Sequence, residues 1–313
     1  MIPAIVLTAG LATRLRPLSL VRAKAALPVA GDALVRRVLR GLAAAGVADA
    51  VLNLHHLPHT LTAVVGDGSD LGLRVRYSWE APVLGSAGGP KRALPLLGQQ
   101  FLIVNGDTLT DLDVTAVVRD HQQHGALVTM AVVPNAEPGK YGGVVVDRAG
   151  AVTGFVGRGS PQASFHFIGI PVADAEAFAP APADAPYESV AALYPALMAA
   201  RHGAVRAFRT EAECLDIGTP ADYLSTALLV AEREGRGLPW GARVHVERGA
   251  VIERSVLWDD VVVEAGAFAR ECVITDGVRV PADTSWKGVT IRRAGGALAP
   301  GERRIGDLAV ANV

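Results

Sequence analysis

The sequence predicts an α/β protein: a mostly parallel, Rossmann-like sheet with helices on both faces, followed by a short C-terminal left-handed parallel β-helix. Three observations lead there. Through residue 230 or so, short apolar runs alternate with helical patterns, the rhythm of βαβ units. Half of the 313 residues are hydrophobic but only 5% are aromatic. The core must therefore be built from Val, Leu, Ala and Ile, which suits strands covered on both faces. From about residue 240, short valines recur at a fixed interval among Gly, Asp and Ser, the mark of stacked coils.

In chain order, residues 2–7, 50–54, 74–77, 101–104 and 127–133 read as strands, and residues 33–45, 59–65, 86–94 and 114–124 as helices. A hairpin follows over 142–147 and 151–155, turning at Arg148-Ala149-Gly150. The Ala/Pro-rich stretch 179–186 reads as a loop. Val246-x-x-Gly249, Val263-x-x-Gly266 and Val280-x-x-Asp283 recur 17 residues apart. Ser255-Val256-Leu257 and Cys272-Val273-Ile274 keep the same spacing, as do Val261 and Val278. About two and a half coils fit. The expected organisation is a catalytic domain over 1–236, a β-helix over 240–294 and an irregular C-terminal tail over 295–313.

A net charge of −1 provides no global field for nucleic acid or an anionic membrane, so no partner of either kind is expected. Anionic substrates would need local cations. Cys214 and Cys272 have no metal-type spacing and read as thiols of a reducing compartment. The N-terminus runs into a strand without a basic leader, and no apolar run reaches the ~18 residues of a membrane span. The expected compartment is the cytoplasm.

The most informative stretch is Leu7-Thr8-Ala9-Gly10-Leu11-Ala12-Thr13-Arg14-Leu15-Arg16-Pro17-Leu18, with Lys24 after it. A glycine-containing turn after a buried strand can wrap phosphates with its N–H groups, and the cations can neutralise them. It is neither a Walker loop nor a dinucleotide fingerprint, because Gly-Lys-Ser/Thr and Gly-x-Gly-x-x-Gly are both absent. Asn105-Gly106-Asp107 ends an apolar strand, and a carboxylate there can hold Mg²⁺ beside phosphates.

The order strand, turn, Thr-Arg-Leu-Arg-Pro-Leu, then Lys resembles the signature of nucleoside-diphosphate-sugar pyrophosphorylases, the sugar-1-phosphate nucleotidyltransferases. Four further segments resemble the same family in the right order. They are Glu80-x-x-x-Leu84-Gly85-Ser86-Ala87-Gly88, Phe101 to Asp107, Tyr141-Gly142-Gly143-Val144-Val145, and Cys214-Leu215-Asp216-Ile217-Gly218-Thr219-Pro220. The resemblance implies a nucleotide site made of Leu7, Ala9, Gly10, Leu11, Ala12, Thr13, Glu80, Gly85, Ser86, Ala87, Gly88, Asn105 and Gly106. It implies Arg14 and Lys24 as catalytic cations and Asp107 and Asp216 as Mg²⁺ ligands. Glu80 would accept from a base amino group. Thr219 stands where a helix cap belongs, which leaves Asp216 for the metal. Gly142, Gly143, Arg158, His166 and Phe167 would meet the sugar phosphate, with His166 equally readable as a packed or solvated histidine.

Three departures from the family pattern stand out. Ala12 replaces a usual Gly, which is tolerable if its φ is negative. Ala23 and Ala25 replace the prolines that flank the lysine, which loosens the chain around Lys24. Arg158, in Gly157-Arg158-Gly159, stands where the family's Glu-Lys-Pro places a phosphate-binding lysine.

The resemblance implies that an NTP, with GTP favoured, and a sugar-1-phosphate such as mannose-1-phosphate become an NDP-sugar and pyrophosphate. The chain is expected to be a homo-oligomer. Uridylyl or thymidylyl transfer and a catalytically silent, ligand-sensing relative are the alternatives.

Overall fold

A computed structural model describes residues 1–313. The chain divides into two compact units, each discontinuous in sequence. One holds residues 1–10, 38–58 and 65–215; the other holds 11–37, 59–64 and 216–313.

The first unit is built on a nine-stranded sheet. Its strands are β1 (Ala4–Leu7), β2 (Asp49–Leu54), β3 (Arg74–Trp79), β4 (Gln100–Asn105), β5 (Val128–Pro134), β6 (Gly143–Val146), β7 (Val152–Val156), β8 (Phe165–Asp174) and β9 (Val205–Arg209). The heart of the sheet is parallel: β1 lies between β2 and β4, and β3 flanks β2. The long β8 runs antiparallel to β4 and β5, and β9 pairs parallel with β5. The predicted strands match these within a few residues. The hairpin expected over 142–155 is β6 and β7.

The predicted helices are α1 (Leu34–Ala44), α2 (Pro58–Val65), α3 (Gly85–Ala93) and α4 (Val114–His124). Two more follow, α5 (Tyr194–Ala200) and α6 (Pro220–Arg233). No helix is long and apolar enough to cross a membrane. The core of the first unit joins Ile5, Val51, Phe101 and Ile103 of the sheet to Ala87 and Ala93 of α3 and Tyr194 and Leu197 of α5. Aliphatic side chains fill it, as the composition required. Because β1, β2, β3 and β4 are parallel, their carboxyl ends share one edge, where an α/β sheet binds its ligands.

The second unit contains α6 and the β-helix. Three faces of parallel strands stack with a register of 17: His245 on Val262 on Arg279, Val251 on Phe268 on Ser285, and Val256 on Val273 on Thr290. Each face has three coil strands, slightly more than the two and a half coils expected. Val261, Val263, Ala269, Cys272, Ile274, Val278 and Val280 fill the interior. Each corner turns through a left-handed residue, at 243/260/277, 249/266/283 and 254/271/288.

The tail is not irregular. Arg303–Ile305 and Leu308–Asn312 form a hairpin, and its second strand pairs antiparallel with Val289–Arg293 of the last coil. The cause is the insertion of Leu308 and Val310 into the coil core and a buried ion pair of Arg292 with Glu302 (Nη2–Oε2 2.5 Å). The hairpin covers a strand edge that the coil would otherwise leave unpaired.

Candidate functional site

In the first unit, the ends of β1, β2, β3 and β4 are joined by buried hydrogen bonds. The Thr8 N–H donates to Asn53 Oδ1 (2.6 Å), Ala9 N–H donates to the same oxygen (3.3 Å), and the Thr8 hydroxyl donates to the Asn53 carbonyl. Asn53 Nδ2 donates to Glu80 Oε1 (2.7 Å), and Leu84 N–H donates to Glu80 Oε2 (2.8 Å). Leu7 pairs with Asn105, and Gly106 N–H donates to the Leu7 carbonyl (3.1 Å). A Cβ on Gly106 would lie 2.8 Å from that carbonyl oxygen, so only glycine fits. Asp107 follows, half-buried.

This arrangement corrects the role expected of Glu80. Its side chain is fully buried, and both carboxylate oxygens accept from the protein itself. It positions the 80–88 loop and does not face a base. Ser86, Ala87 and Gly88 also bond within the protein: Ser86 N–H and Oγ donate to Glu188 Oε2 (3.2 and 2.6 Å), while Ala87 and Gly88 N–H donate to the Tyr187 carbonyl (2.9 and 3.0 Å). Asn53, Tyr187 and Glu188 were not foreseen. Asn53 ends an apolar strand, where a polar residue needs an internal partner, and that was the available signal. Nothing local to Tyr187 or Glu188 marked them.

A second cluster in the same unit is a hollow lined by Gly142, Gly143, Val144, Phe155, Val156, His166, Phe167 and Val190. The four expected residues Gly142, Gly143, His166 and Phe167 therefore come together. Gly143 is tight, since a Cβ there would strike Ser164. The His166 ring packs on Tyr141 with centroids 4.0 Å apart. Burial, then the nearby Lys140 charge, holds its pKa below the ordinary imidazole value. Arg158 lies outside this lining and is exposed.

In the second unit, Leu11, Ala12, Thr13, Arg14, Lys24 and Gly218 line one cavity. Arg14 is exposed and Lys24 half-buried. Charged groups converge on Gly218: a Cβ there would lie 3.2 Å from Asp222 Oδ2, 3.6 Å from Asp216 Oδ2 and 3.8 Å from Arg14 Nη1. Asp216 ends the strand Cys214–Asp216. Thr219 caps α6 as expected, accepting from the Asp222 N–H (3.2 Å), with Pro220 in the first turn.

Ala12 departs from the expectation of a negative φ: its φ is 47° and its ψ 47°. This is the left-handed region, which costs a non-glycine residue roughly 1–2 kcal/mol. The turn is held by Leu15 N–H on the Ala12 carbonyl (3.0 Å), which also accepts from the Ser19 hydroxyl (2.9 Å).

The fold and these clusters are those of an enzyme family, and the chain belongs to it: residues 3–233 match the nucleotidyl transferase family. The chain is similar to the mannose-1-phosphate guanylyltransferase of Mycobacterium tuberculosis, 30% identical over 298 residues that cover 90% of this chain and 82% of that one. It is 46% identical to the N-acetylmuramate alpha-1-phosphate uridylyltransferase of Neisseria meningitidis over 115 residues, 36% of this chain and 50% of that one. Among solved structures, HddC from Yersinia pseudotuberculosis, complexed with GMP-PN, superposes with a TM-score of 0.64 at 23% identity, covering 74% of this chain and all of that one. At that identity the likeness is one of fold. The chain is thus a sugar-1-phosphate nucleotidyltransferase.

Proposed function

We propose that the protein transfers a nucleoside monophosphate from GTP to mannose-1-phosphate or a related sugar phosphate, releasing pyrophosphate. The observation that carries this reading is the cavity in which Arg14 and Lys24 meet the turn 11–13 and Gly218. A sugar-phosphate oxygen is already anionic and can attack the α-phosphorus in line with departing pyrophosphate, so no protein nucleophile is required. Catalysis is then positioning and charge neutralisation. Arg14 and Lys24 take up charge developing on the β- and γ-phosphates. Gly142, Gly143, His166 and Phe167 cradle the sugar ring, with Arg158 as the cation for its phosphate. The base lies against the 85–88 loop, read by shape and by whatever backbone groups the loop leaves open.

Asp107 of the first unit and Asp216 of the second each fit Mg²⁺ by their chemistry. Mg²⁺ takes one or two carboxylates together with water and substrate phosphates. No cluster of three or more His, Cys, Asp or Glu residues is arranged to hold a metal. Bound to them, Mg²⁺ would offset phosphate charge. The cytoplasm and a homo-oligomeric state complete the proposal; neither cysteine forms a disulfide.

Guanine is supported by the guanylyltransferase that matches along 90% of the chain. A second reading, uridylyl transfer, is supported by the buried state of Glu80, which removes a guanine-specific acceptor, and by the local 46% identity to a uridylyltransferase. Pyrophosphate release across four NTPs and several sugar-1-phosphates tests both. GTP with mannose-1-phosphate should be fastest. A UTP preference would establish the second reading, and NTP binding with no release from any pair would identify a silent, sensing relative.

A further inference from the structure

Where the family usually has proline on both sides of its lysine, this chain has Ala23 and Ala25, and the segment lacks the stiffness those rings supply. Yet the backbone holds proline's shape: Ala23 has φ −55° and ψ 143°, and Lys24–Ala26 forms one tight 3₁₀ turn. The Ala23 N–H, which proline would lack, donates to Thr60 Oγ1 (3.1 Å).

Two arms grip this segment, one from the β-helix and one from α6, which a coil residue backs. Before Lys24, the Arg22 guanidinium donates through Nε to Asp276 Oδ2 (2.7 Å) and through Nη2 to Asp276 Oδ1 (2.6 Å) and Asp259 Oδ2 (2.7 Å). The two aspartates sit 17 residues apart on successive coils, and Asp259 N–H donates to Asp276 Oδ1 (3.1 Å). After Lys24, the Tyr223 hydroxyl donates to the Pro28 carbonyl (2.5 Å) and accepts from Trp258 Nε1 (2.8 Å). Trp258 is fully buried and joins the arms, because Arg22 also lies over its ring, 5.4 Å from the centroid. A bidentate arginine on two carboxylates, only 14% exposed, is a rigid tether of a kind a surface ion pair is not.

We infer that Arg22, Asp259 and Asp276 are positioning residues for Lys24: the β-helix clamps the lysine's segment in place of the missing prolines. The inference rests on the reading of Lys24 as a phosphate-facing cation. It gives the coils a role in turnover beyond any role in assembly.

The test uses the full chain with Arg22→Gln and, separately, with Asp259→Asn and Asp276→Asn combined. Hydrogen–deuterium exchange of the amides in 22–27 should accelerate in both, while exchange in β1, β2 and β4 stays as in the wild type. In pyrophosphate release, kcat should fall about tenfold with KM for the NTP little changed, the signature of a misplaced cation. Adding Ala23→Pro to the Arg22→Gln chain should restore most of kcat, which a general loss of stability would not do. Wild-type exchange at 22–27 in both variants overturns the inference, as does a kcat loss that Ala23→Pro fails to repair. If the wild type releases no pyrophosphate from any substrate pair, it is the functional reading that has failed, and the exchange comparison still decides the clamp.

Discussion

The segment around Lys24 and the loop around Glu80 both belong to the nucleotide site by resemblance, and they use charge in different ways. Lys24 and Arg14 line a cavity, and the charges that hold the Lys24 segment belong to other residues, the neighbouring Arg22 and its distant partners Asp259 and Asp276. In the base loop, positioning is done by the one residue expected to read the base: Glu80 is buried and accepts from Asn53 and Leu84. Selectivity at the first segment should therefore respond to side-chain charge. At the second it should respond to loop shape. A buried carboxylate with two internal donors is costly to disturb and has no accessible surface for a ligand.

The largest effects should come from the proposed metal carboxylates. Asp107→Asn and Asp216→Asn should each lower kcat on the order of a thousandfold in Mg²⁺, with circular dichroism unchanged. A wild-type rate in either would remove that residue from the site. Next, Arg14→Ala and Lys24→Ala should each lose about a hundredfold in rate with little change in melting temperature. The reverse pattern, intact turnover and a lowered melting temperature, would make the cations structural.

Glu80→Gln sharpens the contrast. Its amide places an NH₂ against one of two buried donors, Asn53 Nδ2 or Leu84 N–H, and should cost about 1–3 kcal/mol of stability. KM should rise for GTP and UTP in the same proportion. A change in the GTP-to-UTP ratio would return Glu80 to the role of a base reader. Ala12→Gly should stabilise by about 0.5–1 kcal/mol, since it relieves a left-handed alanine but loosens the unfolded chain; a lower melting temperature would show that the methyl makes useful contacts.

The smallest effect is at His166. Its pKa is held low in the folded state, so the unfolded chain binds its proton more readily, and stability should fall as pH drops through about 6.5. His166→Gln should lose that component, seen as a flatter dependence of melting temperature between pH 7.5 and 5.5. An unchanged slope would mean the ring titrates normally.

The parallel core, the helices and the 17-residue coil were legible because each writes a period into the sequence. At the coil corners, only the 249/266/283 series was readable, with Gly at two of three positions. The others place Arg243 and Asp260, or Arg254 and Glu271, in the same left-handed conformation with no local mark. The tail hairpin was missed because its buried partners, Arg292 and Leu308, lie at either end of a Gly/Pro-rich stretch. At the site, residue types suggested Arg14 and Lys24 for phosphate and Asp107 and Asp216 for Mg²⁺. Tertiary hydrogen bonding decided the rest: Glu80 turned inward, and Glu188, 102 residues from Ser86, met the loop's amide and hydroxyl. Arg22 looked like one more solvated arginine until its two aspartates, more than 230 residues away, met it.

In the proposed reaction the two-cation cavity moves a nucleotide onto a sugar phosphate. Pyrophosphate release by wild type and Lys24→Ala, with GTP and mannose-1-phosphate together and each alone, addresses it most directly. Release should require both substrates and Mg²⁺ and fall about a hundredfold without the lysine. No release from any NTP and sugar-1-phosphate pair by correctly folded wild type, or release indifferent to Lys24, would contradict it.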